Sequence, residues 1–181
     1  MKANKIRLLF ICHGNICRSP MAEYIFKHLC RERGVAEMFE VASAAVSTEE
    51  TGNDIYPPAK RKLREKGIPF EHHAAHQITR AEYDYYDYIL CADQANIRRL
   101  QWIIGDTEQD PRKYHAVECQ DKVSLMMQWI DGQLINGEIV NTRMVNISDP
   151  WYTGDFEQAY QDIYVSCKAI LELLIRSDNN I

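Results

Sequence analysis

Long hydrophobic runs are missing from this 181-residue sequence: no stretch approaches the roughly 18 apolar residues that a membrane-spanning helix requires. The first apolar run, Ile6–Cys12, is interrupted by Arg7. His-Gly-Asn follows it in place of a small-residue cleavage site, which argues against a secretory leader. An excess of positive charge is missing as well. The formal net charge is −5, so electrostatics supply no reason to bind nucleic acid, and Arg98-Arg99 and Lys60 to Arg64 are expected to be solvated helix faces. The 6 cysteines show no regular spacing, and no His/Cys cluster has the spacing of metal ligands, so neither a disulfide framework nor a metal or cofactor is expected. There is no internal repeat and no second domain. What remains, with 46% hydrophobic residues, is one soluble domain with a sizeable core, expected in the reducing cytoplasm and away from membranes. Its oligomeric state is left open.

What is present is concentrated in Cys12 to Pro20, read as C-H-G-N-I-C-R-S-P directly after the apolar run. A strand, a short loop and a helix in succession make an anion trap. The helix is expected to start with Ser19 as N-cap and Pro20 in the first turn, and Gly14 is expected to permit a tight turn. The N–H groups of His13, Gly14, Asn15, Ile16, Cys17 and Arg18 can then line a concave nest at the positive end of the helix. Arg18 contributes a planar fork for two oxygens of a tetrahedral oxyanion. Such surroundings favour a thiolate, so Cys12 is the candidate nucleophile for attack on phosphorus. Asp149-Pro150 supplies a candidate general acid on a stiffened loop, with Trp151 and Tyr152 beside it to limit water.

Along the chain, strands are expected at Ile6–Ile11, Val41–Ala45, Tyr86–Cys91 and Lys122–Met127. Helices are expected over Ser19–Arg33 (ended by Gly34), Pro57–Lys66, a brief segment after Thr79-Arg80-Ala81-Glu82, Asp93 to Ile104, and from Asp155-x-x-Gln158 to Arg176. Gly105–Asp121 and Asp149–Asp155 read as loops. Alternating strands and helices imply a four-stranded parallel sheet covered on both faces, with ligands bound at the carboxyl ends of its strands, where Cys12 falls.

The motif C-H-G-N-I-C-R-S-P-M-A-E, with Asp149-Pro150 near the C-terminus, resembles the signature of the low-molecular-weight protein tyrosine phosphatases. Ser43-Ala44-Ala45, Gly67–Pro69, His73–Thr79 and Asp87–Asp93 add to the likeness, which fails mainly between about 105 and 148. The resemblance implies hydrolysis of phosphotyrosine, and of small aryl phosphates, through a phosphocysteine. It makes Cys12 the nucleophile, Arg18 the phosphate ligand and Asp149 the acid, with no metal and with a phosphotyrosine protein as partner. It also implies that Asn15, Ser43 and His73 (rather than His72) hydrogen-bond together to hold the loop, and that Ser19 assists the sulfur. Cys17 is either a trap for a sulfenic acid on Cys12 or a small buried thiol. His28, His76 and His115 are expected at the surface.

Three departures stand out. Thr48-Glu49-Glu50-Thr51 occupies the place of an aromatic cleft wall, His76 that of a frequent arginine, and about a dozen extra residues surround Asp131–Thr142. Within the insertion, Asn136-Gly137 between short β-prone runs predicts a hairpin, expected to rest near the acid loop and extend one wall of the cleft, or else to be a surface excursion or subunit contact. The arsenate-reductase relay needs a cysteine that Gln94 to Gly105 lacks, and Ile16 stands where the arginine phosphatases resemble G-N-T-C-R-S.

Overall fold

The computed structural model describes residues 5–105, 121–130 and 146–178, together with the backbone of 134–135 and 138–139. Its centre is β1 (Ile6–Cys12), whose apolar residues face both ways. Leu8 and Phe10 point into one core, Leu9 and Ile11 into another, and all four are fully buried. A strand with two apolar faces needs neighbours on both sides and helices above and below. The neighbours are β2 (Phe39–Ala45) and β3 (Tyr88–Cys91), and β4 (Val123–Leu125) completes a parallel sheet of order β2-β1-β3-β4.

Over the Leu8–Phe10 face lie α1 (Arg18–Glu32), α2 (Pro57–Glu65) and the last helix, which buries Ile163, Cys167 and Ile170 there. Over the Leu9–Ile11 face lie α3 (Arg80–Tyr85) and α4 (Gln94–Ile104). Both of these helices begin in complete capping boxes, Thr79 with Glu82 and Asp93 with Asn96. A short helix α5 (Pro150–Thr153) and the long α6 (Phe156–Asp178) end the described chain. No described helix is long and apolar enough to cross a membrane.

Several boundaries differ from expectation. β2 begins at Phe39, because Phe39 packs its ring on Phe26 and joins the core. β3 begins only at Tyr88, because Asp87 is spent on Arg7: its carboxylate accepts the Arg7 N–H at 2.8 Å and its own N–H donates to the Arg7 carbonyl. The expected loop at Asp149–Asp155 is a helical turn, since Asp149 caps it, Pro150 opens it and Gly154 closes it at φ 72°. The basic run from Lys60 is not merely solvated. Lys62 and Lys66 both hold Glu157 at 2.8 Å and so tie α2 to α6.

In the insertion, β5 (Leu134–Ile135) pairs antiparallel with β6 (Glu138–Ile139), Leu134 opposite Ile139. Its turn and its resting place lie outside the described residues, as do Gly105–Asp121 (beyond Gly105 and Asp121) and His115.

Candidate active site

Four segments meet at the carboxyl edge of the sheet. The loop after β1 is held by bonds to its carbonyls. Cys12 and His13 accept from the Val46 N–H at 3.0 and 3.2 Å, His13 also from Ser47 at 3.1 Å, Asn15 from His73 Nε2 at 2.8 Å, and Ile16 from Tyr56 at 2.8 Å. A trans peptide points the next N–H opposite to its carbonyl. Outward carbonyls therefore turn the N–H groups of His13, Gly14, Ile16 and Cys17 into the cleft that these residues line with Cys12 and Arg18.

The tight turn is not at Gly14, whose φ is one that any residue adopts. It falls on Asn15, at φ 58°, and glycine at 14 answers a close approach: a Cβ there would stand 3.0 Å from Glu50 Cγ. Asn15 is fully buried and its side chain holds the site together. Its Nδ2 donates to Ser19 Oγ and to Ser43 Oγ, each at 2.9 Å, while Oδ1 accepts from His73 Nε2 at 3.0 Å. Both acceptors of His73 Nε2 are carbonyl oxygens, so this nitrogen carries the hydrogen. Burial lowers the pKa of His73, which favours the neutral ring with its hydrogen on Nε2.

The relay has a direction. Ser43, having accepted from Asn15, donates to Glu23 Oε2 at 2.6 Å. Ser19, having likewise accepted, has its hydrogen free for Cys12 Sγ at 3.1 Å, with the Ala44 carbonyl further away at 3.4 Å. The Asn15 N–H also points at that sulfur, at 3.3 Å. The expected cap role of Ser19 is corrected accordingly. α1 starts at Arg18 with Cys17 in the cap position, two residues before the expected cap, and the Ser19 hydroxyl lies against the sulfur.

Arg18 is buried and engages three partners. Nη1 donates to Asp93 Oδ2 at 2.7 Å and to the Ile147 carbonyl at 3.0 Å, and Nη2 donates to Asp149 Oδ2 at 2.6 Å. Burial opposes its charge, but attraction to Cys12, Asp149 and Asp93 outweighs that and holds its pKa above the ordinary value. Ile147 is itself anchored, donating to the Ala92 carbonyl at the end of β3 at 2.9 Å, which is how the distant Asp149 reaches the loop.

Cys17 is a different thiol. Burial, then the charges of Cys12 and Asp149, push its pKa far up, and burial likewise raises Cys30 to about 12 and lifts Cys167. These three remain protonated.

Trp151 and Tyr152, with Glu49 and Glu50, also line the cleft. Both aromatics stay largely exposed, at 49% and 82%, so they shape the mouth without sealing it. Glu49 accepts from His13 Nε2 at 2.9 Å. His76 is not merely a surface residue: it pairs with Glu82 at 2.8 Å and offers its N–H to Asn15 Oδ1 at 3.4 Å.

A profile described as low molecular weight phosphotyrosine protein phosphatase matches residues 7–180. The chain belongs to that family. Among family members it is 37% identical over 171 residues to the low molecular weight phosphotyrosine protein phosphatase of Homo sapiens, covering 91% of this chain and 93% of that protein. The crystal structure of YfkJ from Bacillus subtilis superposes with a TM-score of 0.79 at 27% identity, over 98% of this chain and 99% of that one. A Drosophila arginine phosphatase superposes at 0.71, also with 27% identity, over 93% and 98%.

Two participants escaped the sequence reading. Glu23, given no role by the sequence, is buried at the far end of the relay. Asp93, expected to cap α4, also holds Arg18, and its place just after β3, at the edge where ligands bind, is the signal for that.

Proposed function

We propose that the protein hydrolyses phosphotyrosine in protein substrates, and small aryl phosphates, through a phosphocysteine on Cys12. The observation that carries this reading is the pair of donors, Ser19 Oγ and the Asn15 N–H, aimed at one buried sulfur at the floor of an N–H-lined nest. The Cys12 thiolate attacks phosphorus while the nest and Arg18 hold the non-bridging oxygens. The tyrosine oxygen departs with a proton from Asp149. Water then attacks the phosphocysteine, giving its proton to Asp149, and the sulfur leaves as a thiolate that Ser19 stabilises. An entering phosphate dianion competes with Asp149 for Arg18, so binding releases the acid toward the leaving oxygen.

On this reading the chain works as a single phosphatase domain with the hairpin near 131–142 inserted into it, and it acts in the cytoplasm, where Cys12 stays reduced. Neither a metal nor a nucleic acid is needed.

Replacing Cys12 by Ser tests the nucleophile. Turnover of a phosphotyrosine peptide should vanish while vanadate still binds, because the nest and Arg18 remain. Phosphoarginine peptides belong in the same assay, since a structural relative carries that activity in its name. Ile16, which lines the cleft, offers an apolar surface to an aromatic ring, so phosphotyrosine should be the better substrate.

A further inference from the structure

Beside the catalytic cleft lies a second groove that shares Ile16, Glu50 and Trp151 with it and continues over Asp54, Tyr56 and Lys60. We propose that this groove seats an arginine or lysine side chain flanking the phosphotyrosine of the protein substrate. The inference rests on the phosphatase reading above and extends it to the neighbouring residue.

Continuity is the first argument. A peptide whose phosphotyrosine enters the cleft must carry its neighbours over the rim, and Trp151 and Glu50 stand on the rim between the two depressions. The second argument is the lining. Tyr56 and Trp151 pack with ring centroids 4.7 Å apart, and Trp151 remains half exposed. Such a surface suits the aliphatic stem and cationic head of a basic residue.

Charge is the third argument, and all the ionic groups facing the groove enter it. Lys60 is bound to Asp54, which also accepts from the N–H groups of Ile55 and His73 and stays ionised, so this pair cancels. Glu50 is left in surplus. Its Oε2 accepts from Asn53 at 2.7 Å, while its Oε1 takes no hydrogen bond among the described residues. The Asn53 bond holds the carboxylate in place, and both the cleft and the groove include Glu50 in their lining. Glu49, which also lines the cleft, adds negative charge partly answered by His13. An acidic neighbour would meet repulsion here, and a basic one a carboxylate beside an aromatic face.

The test uses phosphotyrosine peptides of one sequence in which the residue before or after phosphotyrosine is Arg, norleucine or Glu. On the more sensitive side, kcat/KM should fall from Arg to norleucine to Glu, with Arg over Glu by roughly three- to tenfold. The ratio should shrink in added salt. It should also shrink in E50Q, and grow in K60Q, which removes the competing cation. Equal kcat/KM for all peptides, with phosphotyrosine turned over normally, would overturn the groove assignment and leave the phosphatase reading standing. An Arg preference undiminished in folded E50Q would overturn it too. If none of the peptides is hydrolysed, the phosphatase reading falls and the groove assignment with it.

Discussion

Asn15 shows how much of the chemistry rests on single residues. It holds a left-handed backbone, steers the Ser19 hydroxyl to the sulfur and receives His73, all while fully buried. Replacement by alanine orphans several buried groups and keeps the unfavourable φ, so we expect a loss of about 2–4 kcal/mol in urea unfolding. Asn15→Gly should lose about 1 kcal/mol less, since glycine tolerates that φ. Equal losses would mean that the backbone strain is negligible. His73 gives a pH signature. Its folded pKa lies below the ordinary 6.5, so the neutral ring contributes stability that is complete above that value and is lost as pH falls toward the folded pKa. His73→Gln should therefore flatten the decline in stability between about pH 7 and 5 relative to the native protein. An unchanged slope would place the titrating group elsewhere. The Asn15–Ser43–His73 association was legible only through family resemblance, because nothing in the local pattern couples positions so far apart. Glu23 ends the motif that carries the resemblance, but its bond to Ser43 was not legible, since no local pattern couples a helix carboxylate to a strand hydroxyl 20 residues away.

At the scale of elements, the decisive piece is α5. Asp149 both caps this turn and pairs with Arg18. Asparagine caps a helix as well as aspartate does, so Asp149→Asn should keep the loop in place while removing the proton. Hydrolysis of aryl phosphates with poor leaving groups should then fall roughly 10²–10⁴-fold, and far less for good ones, in a leaving-group series. Asp149→Ala should show the same chemical loss and, in addition, a stability loss of about 1 kcal/mol from the missing cap. An equal loss across the leaving-group series would assign the proton to another group. The helical turn stands where the sequence predicts a loop. Four residues are too few for apolar periodicity to register, and Asp-Pro marks a turn as readily as a helix start.

At the scale of the molecule, the catalytic loop is carried on a strand clamped between two cores. Phe10, Phe26 and Phe39 pack in series beneath it, with ring centroids 5.8 and 5.4 Å apart. Phe26→Ala should cost roughly 3–5 kcal/mol of stability. Well below its lowered melting temperature, the remaining folded protein should retain a near-native kcat, because the loop's own bonds run to Val46, Ser47, Tyr56 and His73. A kcat that falls in the folded protein would show instead that the phenylalanine stack positions the sulfur.

The amino-acid order by itself determined the strand–loop–helix around Cys12, the capping box at Thr79, the cap at Asp93 and the parallel α/β class. These features depend on hydrogen bonds and periodicities spanning a few residues, which a linear pattern records directly. Only the tertiary structure decided that Arg18 would be held by Asp93, 75 residues away, and by Asp149, 131 residues away. It alone buried Glu23 and brought Glu50 and the Tyr56–Trp151 pair to one groove. Such contacts depend on how two cores close around a sheet, and no local preference in the chain encodes that distance.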